Sequence, residues 1–356
     1  MDESMNFASD NWAGAHTKIA EALVKNAAGY ASAYGSSDLD KQVEQTFCEI
    51  FERDVAVFFV GTGTAANALS LTWASRPGGV AFCHSEAHAI EDEGGAPEYF
   101  TGGGRLKGVA GDLGRIAPDA LDAAIRHYPA EFVHAGQPMA ASITQATEIG
   151  TLYSLEQIEA IGRICRDHGI PLHLDGARFA NALVALDATP AEMTWKRGVD
   201  IVSFGGTKNG CWCAEAVIVL DPAKAGGMPF LRKRAAHLFS KSRFIAAQFE
   251  AYFEDDLWLQ LARHSNAMAQ ILAETLEASD AARLAWRPQA NEVFAVMNEK
   301  TAAALQAGGA RFHAWNPPLS FAGQLAQGEG LYRFVTSFAT GAAEIEAFAD
   351  RLSARR

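Results

Sequence analysis

Apolar positions along the chain fall into two alternating patterns. Val55–Val60 is a continuous apolar run of strand length, the pattern of a parallel strand covered on both faces. Ser37 opens a helix, with Asp40 three residues on as a capping box and Leu39, Val43, Phe47, Ile50 and Phe51 at helical spacing. Gly61-Thr-Gly-Thr64 follows the apolar run and leads into helix-forming residues over Ala65–Trp73. Val80–Phe82 reads as a short strand, and Phe132–His134 and Ala141–Thr144 as further strands. Ser154 and Gln157 cap a helix striped by Ile158, Ile161 and Ile164, with Gly169 suited to its end. Strands are then expected at Ile170–Leu174, Val199–Phe204 and Ala216–Leu220. Strands alternating with helices predict an α/β fold, a mostly parallel sheet wrapped on both sides by helices.

The last third departs from this alternation. Residues 232–276 read as mainly helical, Phe294–Met297 and Tyr332–Ser337 as strands, and Ala342–Leu352 as a closing amphipathic helix. The expected organisation is an arm over residues 1–15, a large domain over 16–245 and a smaller C-terminal α+β domain over 246–356.

Composition narrows the function. The 356 residues are 49% hydrophobic and 20% charged, ample for a core. Lys and Arg total 30 against 42 Asp and Glu, a net charge of −12, which argues against nucleic acid or an anionic membrane as partner. No apolar run nears the roughly 20 residues of a membrane span. Residues 1–4 lack the basic and apolar regions of a secretory signal, so the cytoplasm is the expected compartment. Five cysteines do not pair into a framework, and Cys48, Cys83 and Cys165 sit among apolar neighbours as reduced core residues. Cys211-Trp-Cys213 has no second pair to complete a metal site.

Four places carry candidate chemistry. Lys208 follows a buried-type strand through a Gly-Gly-Thr loop, where open α/β sheets place their ligands. A lysine there is either an ordinary solvated side chain or an amine able to form a Schiff base. Asp175 ends the preceding strand in Leu174-Asp-Gly-Ala-Arg178. It is either the partner of Arg178, a helix cap, or the carboxylate that contacts a protonated pyridine nitrogen. Gly61-Thr-Gly-Thr64 is equally good as a plain turn and as a phosphate cradle, and matches neither the Walker nor the G-x-G-x-x-G pattern. His84-Ser-Glu-Ala-His88 would place two histidines on one helical face, but H-x-E-x-H puts the glutamate off the face a zincin needs. No metal is therefore expected, and His88 reads as an imidazole stacked on a cofactor ring or as a simple partly buried histidine. A metal-dependent hydrolase using His84, Glu86 and His88, and a non-catalytic protein on the same fold, are the competing classes. No G-x-S-x-G elbow is present.

Taken together, these features resemble the low-specificity threonine aldolases, in the β-eliminating-lyase group of pyridoxal-phosphate enzymes. The resemblance spans essentially the whole chain. It rests on Phe7-Ala-Ser-Asp10, Ala33-Tyr-Gly35, Thr62-Gly-Thr-Ala-Ala-Asn67, Ala87-His88, Gly94-Gly95, Leu172-His-Leu-Asp-Gly-Ala-Arg-Phe179, Phe204-Gly-Gly-Thr-Lys-Asn-Gly210 and Arg333-Phe-Val-Thr336. It implies an aspartate-aminotransferase-type fold with a mainly parallel seven-stranded sheet. It also implies a homodimer or homotetramer with active sites at subunit interfaces. By the same resemblance, pyridoxal 5'-phosphate is the cofactor and a β-hydroxy-α-amino acid the substrate, cleaved to glycine and an aldehyde. Lys208 would bind the cofactor covalently, Asp175 its ring nitrogen, Gly63 and Thr64 its phosphate, and His88 would stack on its ring. Ser9, Arg178 and Arg333 would hold the substrate carboxylate, Tyr34 would reach in from a neighbouring subunit, and Lys241 or Arg243 would approach a phosphate across the interface. His88 is the expected base for the substrate hydroxyl, because the Glu-Asn-Thr-His segment of many relatives reads Thr144-Gln-Ala-Thr147 here. Thr147 is left to orient a hydroxyl or a water. β-Elimination, transamination and racemisation are the alternative reactions on the same scaffold.

Overall fold

The structure, a computed structural model, describes residues 5–129 and 131–353. Residues 1–4, on which the reading of the N-terminus partly fell, lie outside the described residues.

A seven-stranded sheet forms the frame. From edge to edge it runs Ala56–Val60, Glu215–Val219, Ile201–Gly205, Leu172–Gly176, Gln137–Thr144, Gly79–His84 and Arg105–Val109. Only Glu215–Val219 runs antiparallel to its neighbours. The apolar runs seen in the sequence are these strands, shifted by a residue or two. The Phe132–His134 expectation is corrected: those residues form an exposed turn, and the strand starts at Gln137, beyond Gly136. The edge strand Arg105–Val109 alternates exposed and half-buried residues around Gly108, so it offers no apolar run to find.

Alternation along each strand separates core from site. In Leu172–Gly176, Leu172 and Leu174 face the main hydrophobic core, while His173 and Asp175 share the opposite face. His173 is hydrogen-bonded on both nitrogens, to the hydroxyls of Ser142 (2.8 Å) and Ser203 (2.9 Å), which keeps neighbouring strands in register. Burial lowers its pKa to about 4, so it stays neutral. The helix Gly63–Trp73 covers this face; every residue from Ala65 to Thr72 is buried, as expected of a helix apolar nearly all round. On the other side, Ser37 and Asp40 form the anticipated capping box at the head of Asp38–Ile50. Phe47 of that helix meets Phe204, Phe249 and Phe253 edge-on at 5.0–5.2 Å.

A four-stranded antiparallel sheet, Ala282–Leu284, Glu292–Asn298, Glu329–Val335 and His313–Trp315, builds a second, smaller core with the helices Glu299–Ala307 and Ala342–Ser353. The residue-245 boundary falls inside the helix Arg243–Phe253, which packs in the large core through Ile245, Ala246 and Phe249. The two cores change over within the long helix Leu257–Glu277: Leu261 and Ala262 belong to the first, Ala269 and Leu272 to the second. The N-terminal arm crosses between them. Met5–Asn6 pairs with Ala310–Arg311, Phe7 packs in the small core, and Ser9 caps a short turn over Asp10–Trp12. No helix among the described residues is long and apolar enough to cross a membrane.

Candidate active site

A cavity of about 330 Å³ opens at the carboxyl ends of the parallel strands, where this class of sheet binds its ligands. A vestibule of about 250 Å³ adjoins it on the side of the small domain. The two share Asn11, His88, Glu148, Arg178 and Lys208.

At one end, Gly61, Thr62, Gly63 and Thr64 line the wall. Thr62 caps the helix that begins at Gly63 by accepting the Ala65 N–H at 3.1 Å. The first-turn amides of Gly63 and Thr64 have no carbonyl of their own helix to bond, and the helix dipole points its positive end at the cavity. This is a cradle for an anion.

At the other end stands Asp175, 5% exposed. Its Oδ1 accepts the Ala177 N–H (3.0 Å) and its Oδ2 accepts Asn67 Nδ2 (2.7 Å). Asn67 also donates to Glu93 Oε1 (2.7 Å), and His88 Nδ1 meets that same oxygen at 3.0 Å. A chain therefore runs Asp175–Asn67–Glu93–His88. The bond to Glu93 raises the His88 pKa, with Asp175 adding to the effect, so this imidazole keeps its proton more firmly than a free one. His84 ends a strand and His88 starts the next helix, so the two do not share a helical face.

Lys208 is presented by a single turn, Thr207–Asn209, just after Ile201–Gly205. Its loop packs on the Asp175 loop: a Cβ at Gly205 would lie 2.6 Å from the Ala177 carbonyl oxygen. Only glycine permits that approach, which brings Lys208 and Asp175 into one cavity. Glu215, not anticipated from the sequence, faces the same space. Its strand runs opposite to the others, so its first residue lies where their last residues do. Burial pushes its pKa up to about 7, partly offset by Thr207 and Lys208.

The vestibule holds Ser9, Arg178 and Arg333. Arg178 was expected to clamp a carboxylate, but its guanidinium is already engaged. Nε and Nη2 donate to Asp10 at 2.7 and 3.1 Å, and Nη1 pairs with Glu292 at 3.2 Å. Burial alone would raise the Asp10 pKa; Arg178 and Lys208 outweigh it and hold Asp10 ionised. Arg333 is less committed. It stacks on Trp315 at 4.2 Å, lies 3.9 Å from Glu292, and its Nε has no partner.

Four further residues lie away from this chain's own cavity, which leaves untouched the expectation that Tyr34 and Lys241 or Arg243 act across a subunit interface. Thr147 is fully buried, bonds Thr151 Oγ1 at 2.8 Å and does not line the cavity; the next residue, Glu148, does. Tyr34 lies on the surface, half exposed, with Lys233 over its ring, and does not line the cavity of its own chain. Arg243 donates to the Gly29 carbonyl, and neither it nor Lys241 reaches the cavity.

Residues 6–300 match the family described as beta-eliminating lyase. The low-specificity L-threonine aldolase of Pseudomonas aeruginosa is 36% identical over 95% of this chain and 94% of its own length. That of Pseudomonas sp. is also 36% identical, over 98% and 97%. The solved threonine aldolase of Leishmania major superposes with a TM-score of 0.90 at 30% identity, covering 98% of each chain. On this match over most of its length, the chain belongs to the β-eliminating lyase family, among the low-specificity L-threonine aldolases.

Proposed function

We propose that this chain is a pyridoxal-phosphate-dependent carbon–carbon lyase that cleaves β-hydroxy-α-amino acids to glycine and an aldehyde. The observation that carries this is one cavity holding an anion cradle, a buried strand-end carboxylate, an amine and an imidazole. Those four groups fit the phosphate, ring nitrogen, aldehyde and ring face of pyridoxal phosphate. Bound there, the cofactor supplies an electron-accepting ring joined to the substrate amine.

The chain's own residues do the rest. Gly63 and Thr64 hold the phosphate through backbone amides. Asp175, fixed by Ala177 and Asn67, keeps a proton on the ring nitrogen. His88, oriented by Glu93, covers the ring. Lys208 would be the point of the cofactor's covalent attachment. Arg333 takes the substrate carboxylate with Ser9 beside it, while Arg178 braces the vestibule through Asp10 and Glu292. Holding the carboxylate would fix the rotation about Cα and so which of its bonds the cofactor would weaken, and weakening Cα–Cβ would favour retro-aldol cleavage over loss of the Cα proton.

We also propose a homodimer or homotetramer. Exposed Tyr34, Trp212 and Phe239 cluster around the cradle: Phe239 abuts Gly61, Tyr34 N–H donates to the Ser240 carbonyl, and Trp212 adjoins Cys213, whose thiol bonds Gly61. Aromatic rings left on a surface beside a site suit an interface.

The test is borohydride reduction of protein loaded with pyridoxal phosphate, followed by peptide mapping and by assay of glycine formation. Cofactor fixed on Lys208, with glycine production lost in Lys208→Ala, supports the reading. Fixation elsewhere, or an active Lys208→Ala variant, refutes it.

A further inference from the structure

Glu148 is a buried carboxylate that none of the roles above uses. It follows the strand Gln137–Thr144, lines the cavity and the vestibule, and also borders an outer hollow formed with Trp315 and Pro318. One oxygen is fixed: Oε1 accepts the His88 backbone N–H and the Thr144 hydroxyl, each at 2.8 Å. The other, Oε2, is buried and has no hydrogen-bond partner. A buried carboxylate oxygen left without a donor costs free energy unless a ligand satisfies it. Its place is between the groups assigned to the ring and Arg333, which is where the β-hydroxyl of a substrate held by its carboxylate would lie.

We propose that Glu148 is the catalytic base that takes the β-hydroxyl proton. The inference rests on the aldolase reading above. In the step, the substrate O–H bond breaks and its proton passes to Glu148 Oε2. The O–H electron pair becomes the second bond of the aldehyde carbonyl. The Cα–Cβ pair moves into the electron-accepting system attached to the substrate nitrogen, and later forms a new Cα–H bond with a proton. One proton leaves oxygen and one reaches carbon, so no oxidant or water is consumed. This answers the loss of the histidine one residue earlier: Thr147 is sealed against Thr151, and the polarity has moved to position 148.

The surroundings set its acidity. Burial raises the Glu148 pKa to about 7, opposed by the His88 N–H. Asp175 reinforces the rise. Arg178, Lys208, His88 and Arg333 share its cavities. Cys83 and Tyr153 stand behind it and feel its charge. Glu86, Glu91 and Asp92 line the outer hollow. A base with this acidity is protonated and idle below about pH 7 and free to accept above it, near the optimum for proton transfer at neutral pH.

Glu148→Gln keeps the shape and removes the base. In the loaded enzyme, cleavage of a β-hydroxy amino acid should fall roughly 10²–10⁴-fold. Exchange of the glycine Cα proton in D₂O needs no hydroxyl base and should stay within the same order of magnitude. The acidic limb of the kcat/KM profile should disappear, and Glu148→Asp should recover part of the rate. Independently of turnover, infrared titration of the protein should show carboxyl intensity changing near pH 7 that falls in the Gln variant to what Glu215 alone contributes. Cleavage within tenfold of the parent, an equal fall in exchange and cleavage, or identical infrared titrations would overturn the assignment. If the parent makes no glycine from any β-hydroxy amino acid while the infrared band titrates, the aldolase reading has failed and the base role falls with it.

Discussion

Arg178 gives the sharpest stability test, because two buried carboxylates depend on it. Asp10 is 2% exposed and Glu292 1%, and Arg178 contacts both. Asn291 donates to Asp10 at 3.1 Å, but it carries no charge. In Arg178→Met the volume is largely kept and the positive charge is lost. Removing one member of a buried ion-pair cluster costs about 3–5 kcal/mol, because the remaining charges are stranded. Unfolding entropy of about 2.1 cal/mol/K per residue gives roughly 0.75 kcal/mol/K for a chain of this size, so Tm should fall by about 4–7 °C. The pH dependence has a definite sign. Without Arg178, burial raises both carboxyl pKa values above those of the unfolded chain. Stability from such groups is present at low pH and lost as pH rises through the folded-state value. The deficit relative to the parent should therefore be larger at pH 8 than at pH 5. Calorimetry on cofactor-free protein reads this without ligand stabilisation. A deficit below about 1 °C at pH 8, or one that shrinks as pH rises, would refute the stranded-charge argument.

Two substitutions separate the remaining roles. Arg333→Gln removes the least committed cation of the vestibule; losing a charge-assisted bond of about 1.5–3 kcal/mol should raise the amino-acid KM roughly 10–100-fold, with a much smaller Tm change than Arg178→Met. An unchanged KM would assign the carboxylate elsewhere. Asp175→Asn removes the charge that stabilises a protonated ring nitrogen while retaining its side-chain shape, and should lower kcat by about 10–100-fold. Titration with pyridoxal phosphate, read by absorbance, shows whether binding or turnover has suffered; full kcat would end that role for Asp175.

The sequence made some of this legible for local reasons. Ala56–Val60, Leu172–Gly176 and Ile201–Gly205 are covered on both faces, so their apolar runs announce them. The capping boxes at Ser37 and Ser154 mark helix starts within four residues of chain, and both form. Lys208 and Asp175 were visible because Asp175 lies at the end of an apolar strand and Lys208 in the glycine-rich turn just after one. What stayed hidden depends on long-range placement. Glu215 is a lone carboxylate at the head of an apolar strand, and only that strand's reversed direction carries it to the cavity. Arg178 reads as a free arginine until Asp10 and Glu292, 168 and 114 residues away, close on it. Glu148 sits one residue past the position that motif comparison singled out. A single charged residue four positions beyond a strand's carboxyl end was its only local signal. Phe132–His134 misled because three aromatic or β-branched neighbours look alike in a strand and in an exposed turn.

The most direct test of the account is proton NMR of the loaded enzyme with L-threonine, following every product to completion. The account predicts glycine and acetaldehyde in equal amounts, with no ammonium released. 2-Oxobutyrate and ammonium would instead show that the Cα–H bond breaks first, and the proposed retro-aldol chemistry would be wrong.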